Sequence, residues 1–196
     1  MRFDTVNICE EPNEINQIFS KLIFFKGMKL SGFIFAFLFI SGIAFSQETG
    51  TKVGDIAPEI QNTTPNGKQL ALSELRGKLV LVDFWASWCR PCRYENPNLV
   101  SAWEKYKDKE FVNGEGFTIF SVSLDKNKKM WTDAIKADNL QWPYHVSDLK
   151  GWYAQPAQKY NVRSIPSNFL IDKNGKIVAR NLRGPRLEKV LEQLVK

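Results

Sequence analysis

The feature that most constrains this sequence is a continuous apolar run, Lys78–Trp85 (KLVLVDFW), followed after three residues by two closely spaced cysteines. Apolar and β-branched residues without polar alternation predict a central strand that is buried on both faces. From about Pro91 to Lys109 the pattern is helical, although Pro97 should kink the helix by removing one backbone hydrogen bond. Cys89 and Cys92 are therefore expected at the carboxyl end of a buried strand, where a helix begins.

The rest of the chain continues this alternation of strands and helices. Asn66-Gly67 lies between two short segments and predicts a hairpin turn. The further predicted elements are hairpin segments Glu59–Thr63 and Lys68–Leu72, a strand Phe117–Leu124, helices Lys128–Asp138, Gly151–Tyr160 and Arg186–Lys196, and an antiparallel pair Asn168–Ile171 and Lys176–Asn181. On the helix after residue 127, Met130 and Trp131 are predicted on the apolar face. This order predicts a mixed-sheet α/β sandwich.

Ahead of these elements lies a segment with the pattern of a signal peptide. Leu30–Phe45 is an apolar run, shorter than the about 20 residues that a membrane span needs. Met28-Lys29 supplies a positive start, and Ala44-Phe45-Ser46 supplies a small-residue cleavage site. We therefore interpret residues 28–46 as a signal peptide cleaved near Ser46, with an uncleaved anchor as the alternative.

This signal divides the chain. Residues 1–27 are too acidic for a leader, so we interpret them as an upstream extension that is not native. We expect residues 47–53 to be a polar linker and residues 54–196 to be one folded domain. Cleavage would deliver that domain to an oxidising compartment, the periplasm, where a close cysteine pair either closes or is kept reduced by a partner.

Charge and cysteine content exclude several classes of protein. Lysine and arginine number 27 against 21 aspartates and glutamates, and a net charge of +6 is too small to indicate nucleic-acid binding. Only three cysteines occur, one of which, Cys9, belongs to the upstream extension, so a disulfide-stapled miniprotein is excluded. The basic stretch Arg180, Arg183, Arg186 and Lys189 is interpreted as a solvated face.

A helix N-terminus at Cys89 gives the cysteine pair a defined chemistry. The free amides and positive end of the helix favour the thiolate and lower a thiol pKa from about 8.5 to roughly 3.5–7.5, and Arg90 adds a positive charge. Two thiols at this spacing can close a disulfide, and Cys89 is expected to be the more exposed of the two. Zinc sites use the same spacing but need four ligands, and His145 is the single histidine. We expect no metal and no organic cofactor.

The motifs DFWASWCRPC and, about seventy residues later, SIPSNFLID resemble the thioredoxin superfamily. Within it the sequence is most similar to the exported TlpA/ResA-like thiol-disulfide oxidoreductases, from VGDIAPEI to the terminal helix. The resemblance implies a thioredoxin-like three-layer sandwich: a mixed central β-sheet flanked by helices, with an N-terminal β-hairpin and a TlpA-type central insert at about residues 125–148. It also implies exchange with disulfides or thiols of exported proteins and resetting by a membrane-bound thiol electron donor.

The resemblance also assigns roles to individual residues. Cys89 matches the attacking cysteine and Cys92 the resolving one, so the pair forms the redox-active disulfide. Pro166, preceded by Ile165, matches the proline whose cis peptide bond lies against the dithiol, and the backbone at Ser164 and Ile165 is expected to meet a partner strand. Three residues around the cysteines, Trp88, Arg90 and Pro91, are expected to contact the substrate.

Two acidic residues complete the predicted site. Asp83, six residues before Cys89, matches the buried acid of thioredoxins, and burial raises its pKa, which suits it to take the proton from Cys92. Glu95 lies one helical turn after Cys92, on the same face. In ResA-like proteins a glutamate at this position tunes the titration of the cysteines, whereas an acid in the first helical turn is also common for its effect on the helix dipole.

Several functions remain open at this point. Reductase and oxidase use the same residues, and we favour a monomeric reductase by resemblance. The VGDIAPEI opening is shared with thiol peroxidases, but Ala86 stands where those proteins place a threonine. A copper-binding assembly protein would need a histidine ligand, and His145 does not match the expected position.

Overall fold

The computed structural model describes residues 48–196. The strands of this part, in chain order, are β1 (Gln61–Thr63), β2 (Gln69–Ala71), β3 (Leu79–Trp85), β4 (Glu110–Phe111), β5 (Gly114–Glu115), β6 (Phe117–Ser123), β7 (His145–Val146), β8 (Ser167–Ile171) and β9 (Ile177–Arg180). The α-helices are α1 (Arg90–Tyr106), α2 (Lys128–Ala137), α3 (Gln155–Lys159) and α4 (Pro185–Leu194). Two 3₁₀ turns are formed by Leu72–Leu75 and Gly151–Tyr153.

A five-stranded mixed sheet in the order β7-β6-β3-β8-β9 forms the centre of the domain. β3 pairs parallel with β6 and antiparallel with β8, while β7 is parallel to β6 and β9 is antiparallel to β8. Every residue of β3 and of β6 is buried, as their continuous apolar sequences predict. The predicted mixed-sheet α/β sandwich is thus confirmed. The central position of β3 carries its C-terminal loop, and with it the cysteines, to the edge of the core.

Two pairs of antiparallel strands are joined by short turns. β1 and β2 pair antiparallel around the Asn66-Gly67 turn, where Gly67 has a φ of +81°. β8 and β9 are joined by residues 172–176, and Asp172 Oδ1 accepts hydrogen bonds from the backbone N–H groups of Asn174 and Lys176. Both connections are the short turns that polar residues and glycine favour.

Two predictions about local structure were wrong. The continuous helix predicted over Gly151–Tyr160 is a 3₁₀ turn followed by the short helix α3, with Ala154 in an extended conformation between them. Pro156 is the reason, because it lacks the N–H that a continuous helix would need there. Met130, predicted on the apolar face of α2, is 53% exposed, whereas Trp131 is buried.

The N-terminal predictions fall largely outside the described residues, since the upstream extension (1–27) and the signal peptide (28–46) are not among them. Residues 48–53, expected to belong to a linker, make hydrogen bonds to the domain: the Glu48 carbonyl accepts from Ile56 N–H, and the Thr51 carbonyl accepts from Arg180. Within residues 48–196, no helix combines the length and the apolar composition needed to cross a membrane.

Candidate active site

Cys89 and Cys92 form a disulfide at the N-terminus of α1, directly after the loop that follows β3. The Cα atoms are 5.3 Å apart, within the range that a disulfide requires. Cys89 is the N-cap residue of α1, and its Sγ accepts a hydrogen bond from the Cys92 N–H at 3.2 Å. A thiolate at Cys89 would therefore occupy the position where helix amides and the helix dipole stabilise negative charge.

Access to the two sulfurs is unequal. Cys89 is 5% exposed and Cys92 is 1% exposed, so Cys89 has the greater accessible surface although both are buried in the disulfide form. Trp88, immediately before the pair, is 50% exposed. Arg90 and Pro91 are exposed as well.

Arg90, expected as a positive charge beside Cys89, contacts Tyr94 one helical turn further on. Its guanidinium group lies 5.5 Å from the centre of the Tyr94 ring and donates two hydrogen bonds to the Tyr94 hydroxyl. The reason is the helical spacing of four residues, which brings the two side chains together on the surface of α1. The Arg90 guanidinium group is thus held against the Tyr94 side chain.

The Ile165–Pro166 peptide bond is cis, as the resemblance implies, and it directly precedes β8. Ser164 is exposed, Ile165 is half-buried and Pro166 is buried. Arg183 donates a hydrogen bond from Nη2 to the Pro166 carbonyl oxygen. The Arg183 side chain is exposed, as predicted for the basic stretch, and this hydrogen bond also ties it to the proline segment.

Three consecutive residues of this loop, 182–184, tie the proline segment to α1. The Leu182 backbone exchanges two hydrogen bonds with the buried Asn168 side chain, at 2.7 and 2.8 Å. The Gly184 N–H donates to Glu95 Oε1 at 2.6 Å. Glu95, on the helix that carries Cys92, is therefore anchored to the loop whose Arg183 holds the proline carbonyl.

Asp83 lies in the middle of β3, opposite Asn168 of β8, and is 3% exposed. The pKa of this carboxyl group is raised from 3.8 to about 7, chiefly by burial and also by the negative charge of Glu95, while the positive charge of Arg183 acts in the opposite direction. A group with this pKa exists in both protonation states near neutral pH. It can therefore either accept or supply a proton under physiological conditions.

A second buried carboxylate, Asp125, holds the loop between β3 and Cys89. Its two oxygens accept hydrogen bonds from the Ser87 N–H (3.0 Å), the Ser87 hydroxyl (2.5 Å) and the Ser123 hydroxyl (2.7 Å). On the other side, Arg93 of α1 donates to the Ser87 carbonyl and forms an ion pair with Asp138 at the end of α2. The loop before the cysteines is thus held from both sides.

The single histidine lies away from this constellation. His145 begins β7, is 4% exposed, and has Nε2 3.2 Å from the Leu140 carbonyl oxygen. Its ring stacks on Trp142 at 5.6 Å. Within residues 48–196, no three histidine, cysteine, aspartate or glutamate side chains are grouped so as to hold a metal ion.

Comparison with known proteins places this geometry in a family. Residues 53–180 match the AhpC/TSA family. The chain belongs to this family of thioredoxin-like proteins. It is 31% identical over 152 residues to the thiol-disulfide oxidoreductase ResA of Bacillus cereus, and the matched region covers 78% of this chain and 82% of ResA. It is 33% identical over 147 residues to the thioredoxin-like protein YneN of Bacillus subtilis, covering 75% and 81% of the two chains.

Solved structures agree with this family assignment. The thioredoxin domain of a thiol-disulfide oxidoreductase from Bacteroides vulgatus superposes with a TM-score of 0.66 at 36% identity, covering 74% of this chain and 99% of that one. A thiol-disulfide oxidoreductase from Bacteroides fragilis gives a TM-score of 0.63 at 32% identity, covering 72% and 98%. This member of the AhpC/TSA family is thus a protein thiol-disulfide oxidoreductase with a thioredoxin-like fold.

Sequence reasoning missed Asp125, Asn168, Arg183 and Gly184. Asp125 carried one usable signal: it follows β6, and strands that are parallel neighbours end at the same edge of a sheet, so it had to lie near the end of β3. The loop contacts of Arg183 and Gly184 carried no such signal, because they depend on how the β9–α4 connection folds.

Proposed function

We propose that this oxidoreductase reduces disulfides of exported proteins. The observation that carries the direction is the charge around the dithiol. The strongest oxidants among such proteins stabilise their reduced, thiolate form. Here the buried Asp83 and the nearby Glu95 are both acidic, and a negative charge on either would oppose a second negative charge on the cysteines. A less stabilised thiolate gives a more reducing pair.

The first step forms a mixed disulfide. The Cys89 thiolate attacks one sulfur of the client disulfide, so that a new bond forms from Cys89 Sγ to that sulfur while the client S–S bond breaks. The second client sulfur leaves as a thiolate and takes a proton from solvent. The backbone of Ser164 and Ile165 would hold the client strand during this step, and Trp88 and Pro91 would contact it.

The second step releases the client. Cys92 gives its proton to the Asp83 carboxylate, and the resulting thiolate attacks Cys89 Sγ. The Cys89–Cys92 disulfide forms, and the bond between Cys89 and the client breaks, so that the client sulfur leaves as a thiolate and takes a proton from solvent. The client has gained two electrons, and a membrane-bound thiol donor must return two electrons to the oxidised pair.

The reduction potential of the Cys89–Cys92 pair tests the direction. The purified protein is equilibrated with dithiothreitol or glutathione buffers, and tryptophan fluorescence reports the fraction reduced. A potential near or below about −250 mV is expected for a reductase. A value near about −120 mV would contradict the proposal and identify a disulfide donor.

Trapping tests the assignment of the two cysteines. Cys92→Ala is expected to accumulate a client mixed disulfide on Cys89, because no resolving thiol remains. Cys89→Ala should accumulate none. Mixed disulfides on Cys92 in place of Cys89 would reverse the assignment.

We further propose that the protein acts as a monomer in the periplasm after cleavage near Ser46. The apolar run Leu30–Phe45 and the exchange chemistry of the dithiol support this location. N-terminal sequencing of the native protein should begin at Gln47. Peptides from residues before Met28 would contradict the assignment of residues 1–27 to a non-native extension.

A peroxidase activity is the second candidate, favoured by the VGDIAPEI opening. At the position of the peroxidase threonine, Ala86 is fully buried and has no hydroxyl group to donate toward Cys89. We expect the reduced protein to leave hydrogen peroxide unconsumed, and measurable consumption would revive this function.

A further inference from the structure

A groove of about 200 Å³ is lined in part by Trp88, the residue before Cys89, and we call it the Trp152 groove. Its apolar lining comes from Trp88, Leu124, Met130 and Trp152. The Trp88 and Trp152 rings are 6.2 Å apart and inclined by 54°. The groove thus joins the residue before Cys89 to the segment between β7 and α3.

Three of these apolar side chains are half exposed to water: Trp88 (50%), Met130 (53%) and Trp152 (45%). Single exposed apolar residues are common on protein surfaces, but several in one place mark an interaction site. Indole rings and a methionine thioether are also the side chains that contribute most at binding surfaces. The groove is therefore suited to receive a bulky apolar side chain.

Several polar groups around the groove are hydrogen-bonded within the protein. Asp125 accepts hydrogen bonds from both serines beside it, and the Asn127 side chain caps α2 by accepting from the Met130 N–H. The aliphatic stem of Lys126 covers Gly151, at which a Cβ atom would lie 2.7 Å from Lys126 Cε. Among the ion pairs of residues 48–196, none includes the Lys126 ammonium group. A positive charge thus remains available at the groove.

One lining residue, Trp88, links the groove to the site of disulfide exchange. Trp88 is adjacent to Cys89, and the Ser87–Asp125 hydrogen bonds fix the loop that carries it. A client whose disulfide reaches Cys89 therefore brings the residues next to its cysteine close to Trp88. A segment of the client polypeptide can thus reach the groove while its sulfur is being attacked.

We propose that the Trp152 groove binds a bulky apolar side chain close to the client cysteine, and that Lys126 contacts an acidic residue beside that side chain. The inference rests on the proposed exchange with protein disulfides. The groove would then determine which client disulfides are reduced fastest, whereas Cys89 and Cys92 carry out the exchange itself.

Short synthetic peptides, each linked as a disulfide dimer through one cysteine, provide the test. One carries Leu-Glu next to the cysteine, a second Leu-Lys and a third Gly-Glu. The second-order rate constant for reduction by the reduced full-length protein is measured for each. Glutathione disulfide, which has no apolar side chain to fill the groove, is the reference substrate.

Trp152→Ala is expected to slow reduction of the Leu-Glu peptide about tenfold and to leave glutathione disulfide and the Gly-Glu peptide nearly unchanged. Lys126→Glu should slow the Leu-Glu peptide and accelerate the Leu-Lys peptide, each about threefold. An opposite response of two peptides cannot arise from loss of folding. Val112→Ala, at an exposed apolar residue outside the groove, is the matched control.

The outcomes separate the two proposals. If glutathione disulfide is reduced normally but both groove variants behave like Val112→Ala with every peptide, the groove inference is overturned and the proposed reductase stands. If the unmodified protein reduces none of these disulfides, the proposed function fails, and the groove inference fails with it.

Discussion

Asp83 is the residue whose environment departs most from that of an ordinary surface carboxyl group. It is 3% exposed, and no hydrogen bond within residues 48–196 reaches its carboxyl oxygens. The neighbouring Asn168, which could have donated one, gives its amide to Leu182 instead. The carboxyl group therefore keeps its proton to a higher pH than an exposed aspartate does.

Replacing this carboxyl should change stability in a pH-dependent way. In the unfolded chain Asp83 loses its proton near pH 3.8, but in the folded protein only near pH 7, so stability falls as pH rises between these values. Asp83→Asn should raise the free energy of unfolding by up to about 4 kcal/mol at pH 8 and have little effect at pH 4. Denaturant unfolding at both pH values measures this. Asp133→Asn, on the exposed surface, is the control, and an equal effect of the two variants at pH 8 would contradict the prediction.

Arg183 opposes the raised pKa of Asp83, so its removal should increase that pKa above 7. Arg183→Gln is the test, and Arg183→Lys, which keeps the charge, should move the pKa less. NMR titration of the Asp83 carboxyl carbon reports the pKa directly. A decrease in Arg183→Gln would show that the arginine charge does not act on Asp83.

At the scale of elements, the decisive contact is between α1 and the loop before α4. Glu95 accepts from the Gly184 N–H, and the adjacent Arg183 holds the Pro166 carbonyl, so the helix with Cys92 and the strand after Pro166 share one anchor. A second irregular connection, the 3₁₀ turn Gly151–Tyr153, places the Trp152 ring against the ring of Trp88, the residue before Cys89. Irregular connections thus complete a site whose cysteines come from a regular strand and helix.

The Glu95 side chain acts both as a hydrogen-bond acceptor for Gly184 and as a negative charge near Asp83, and two substitutions separate these effects. Glu95→Ala removes the acceptor from the Gly184 N–H and should lower the free energy of unfolding by about 1–3 kcal/mol. Glu95→Gln keeps an acceptor oxygen and should cost less, while lowering the pKa of Asp83 because the negative charge is gone. Denaturant unfolding and the NMR titration measure the two effects. Equal destabilisation by both variants would show that the hydrogen bond contributes nothing.

For the whole molecule, two buried ionisable groups act on stability in opposite directions. His145 lies in β7 at one edge of the sheet, and burial lowers its pKa from 6.5 to about 4. The unfolded chain binds a proton there below pH 6.5 and the folded protein does not, so stability falls as pH decreases toward 4. Asp83 has the reverse slope over much of this range, so the contributions of these two groups partly offset each other.

Removing the histidine should reveal the Asp83 contribution alone. His145→Gln keeps an N–H donor for the Leu140 carbonyl and should abolish about 3 kcal/mol of acid destabilisation between pH 6.5 and pH 4. The free energy of unfolding, measured across this interval, should then increase as pH falls. A variant that loses stability toward pH 4 as steeply as the unmodified protein would contradict this account.

The sequence by itself determined the central strands, the α/β class and the position of the cysteine pair. These depend on local pattern: β3 and β6 are continuous apolar runs, and a C-x-x-C motif at a strand-to-helix junction leaves Cys89 at a helix N-cap. Asp83 was predictable as buried for the same reason, since it interrupts an otherwise apolar strand.

Only the tertiary structure decided what surrounds the dithiol. Glu95 and Gly184 are 89 residues apart in the chain, and Ser87 and Asp125 are 38 apart, so no local periodicity could pair them. The break before Pro156 and the exposure of Met130 likewise depend on how the connections pack against the sheet. Hydrophobic pattern specifies which segments are buried, but side-chain hydrogen bonds between loops form only once the sheet has brought those loops to the same edge.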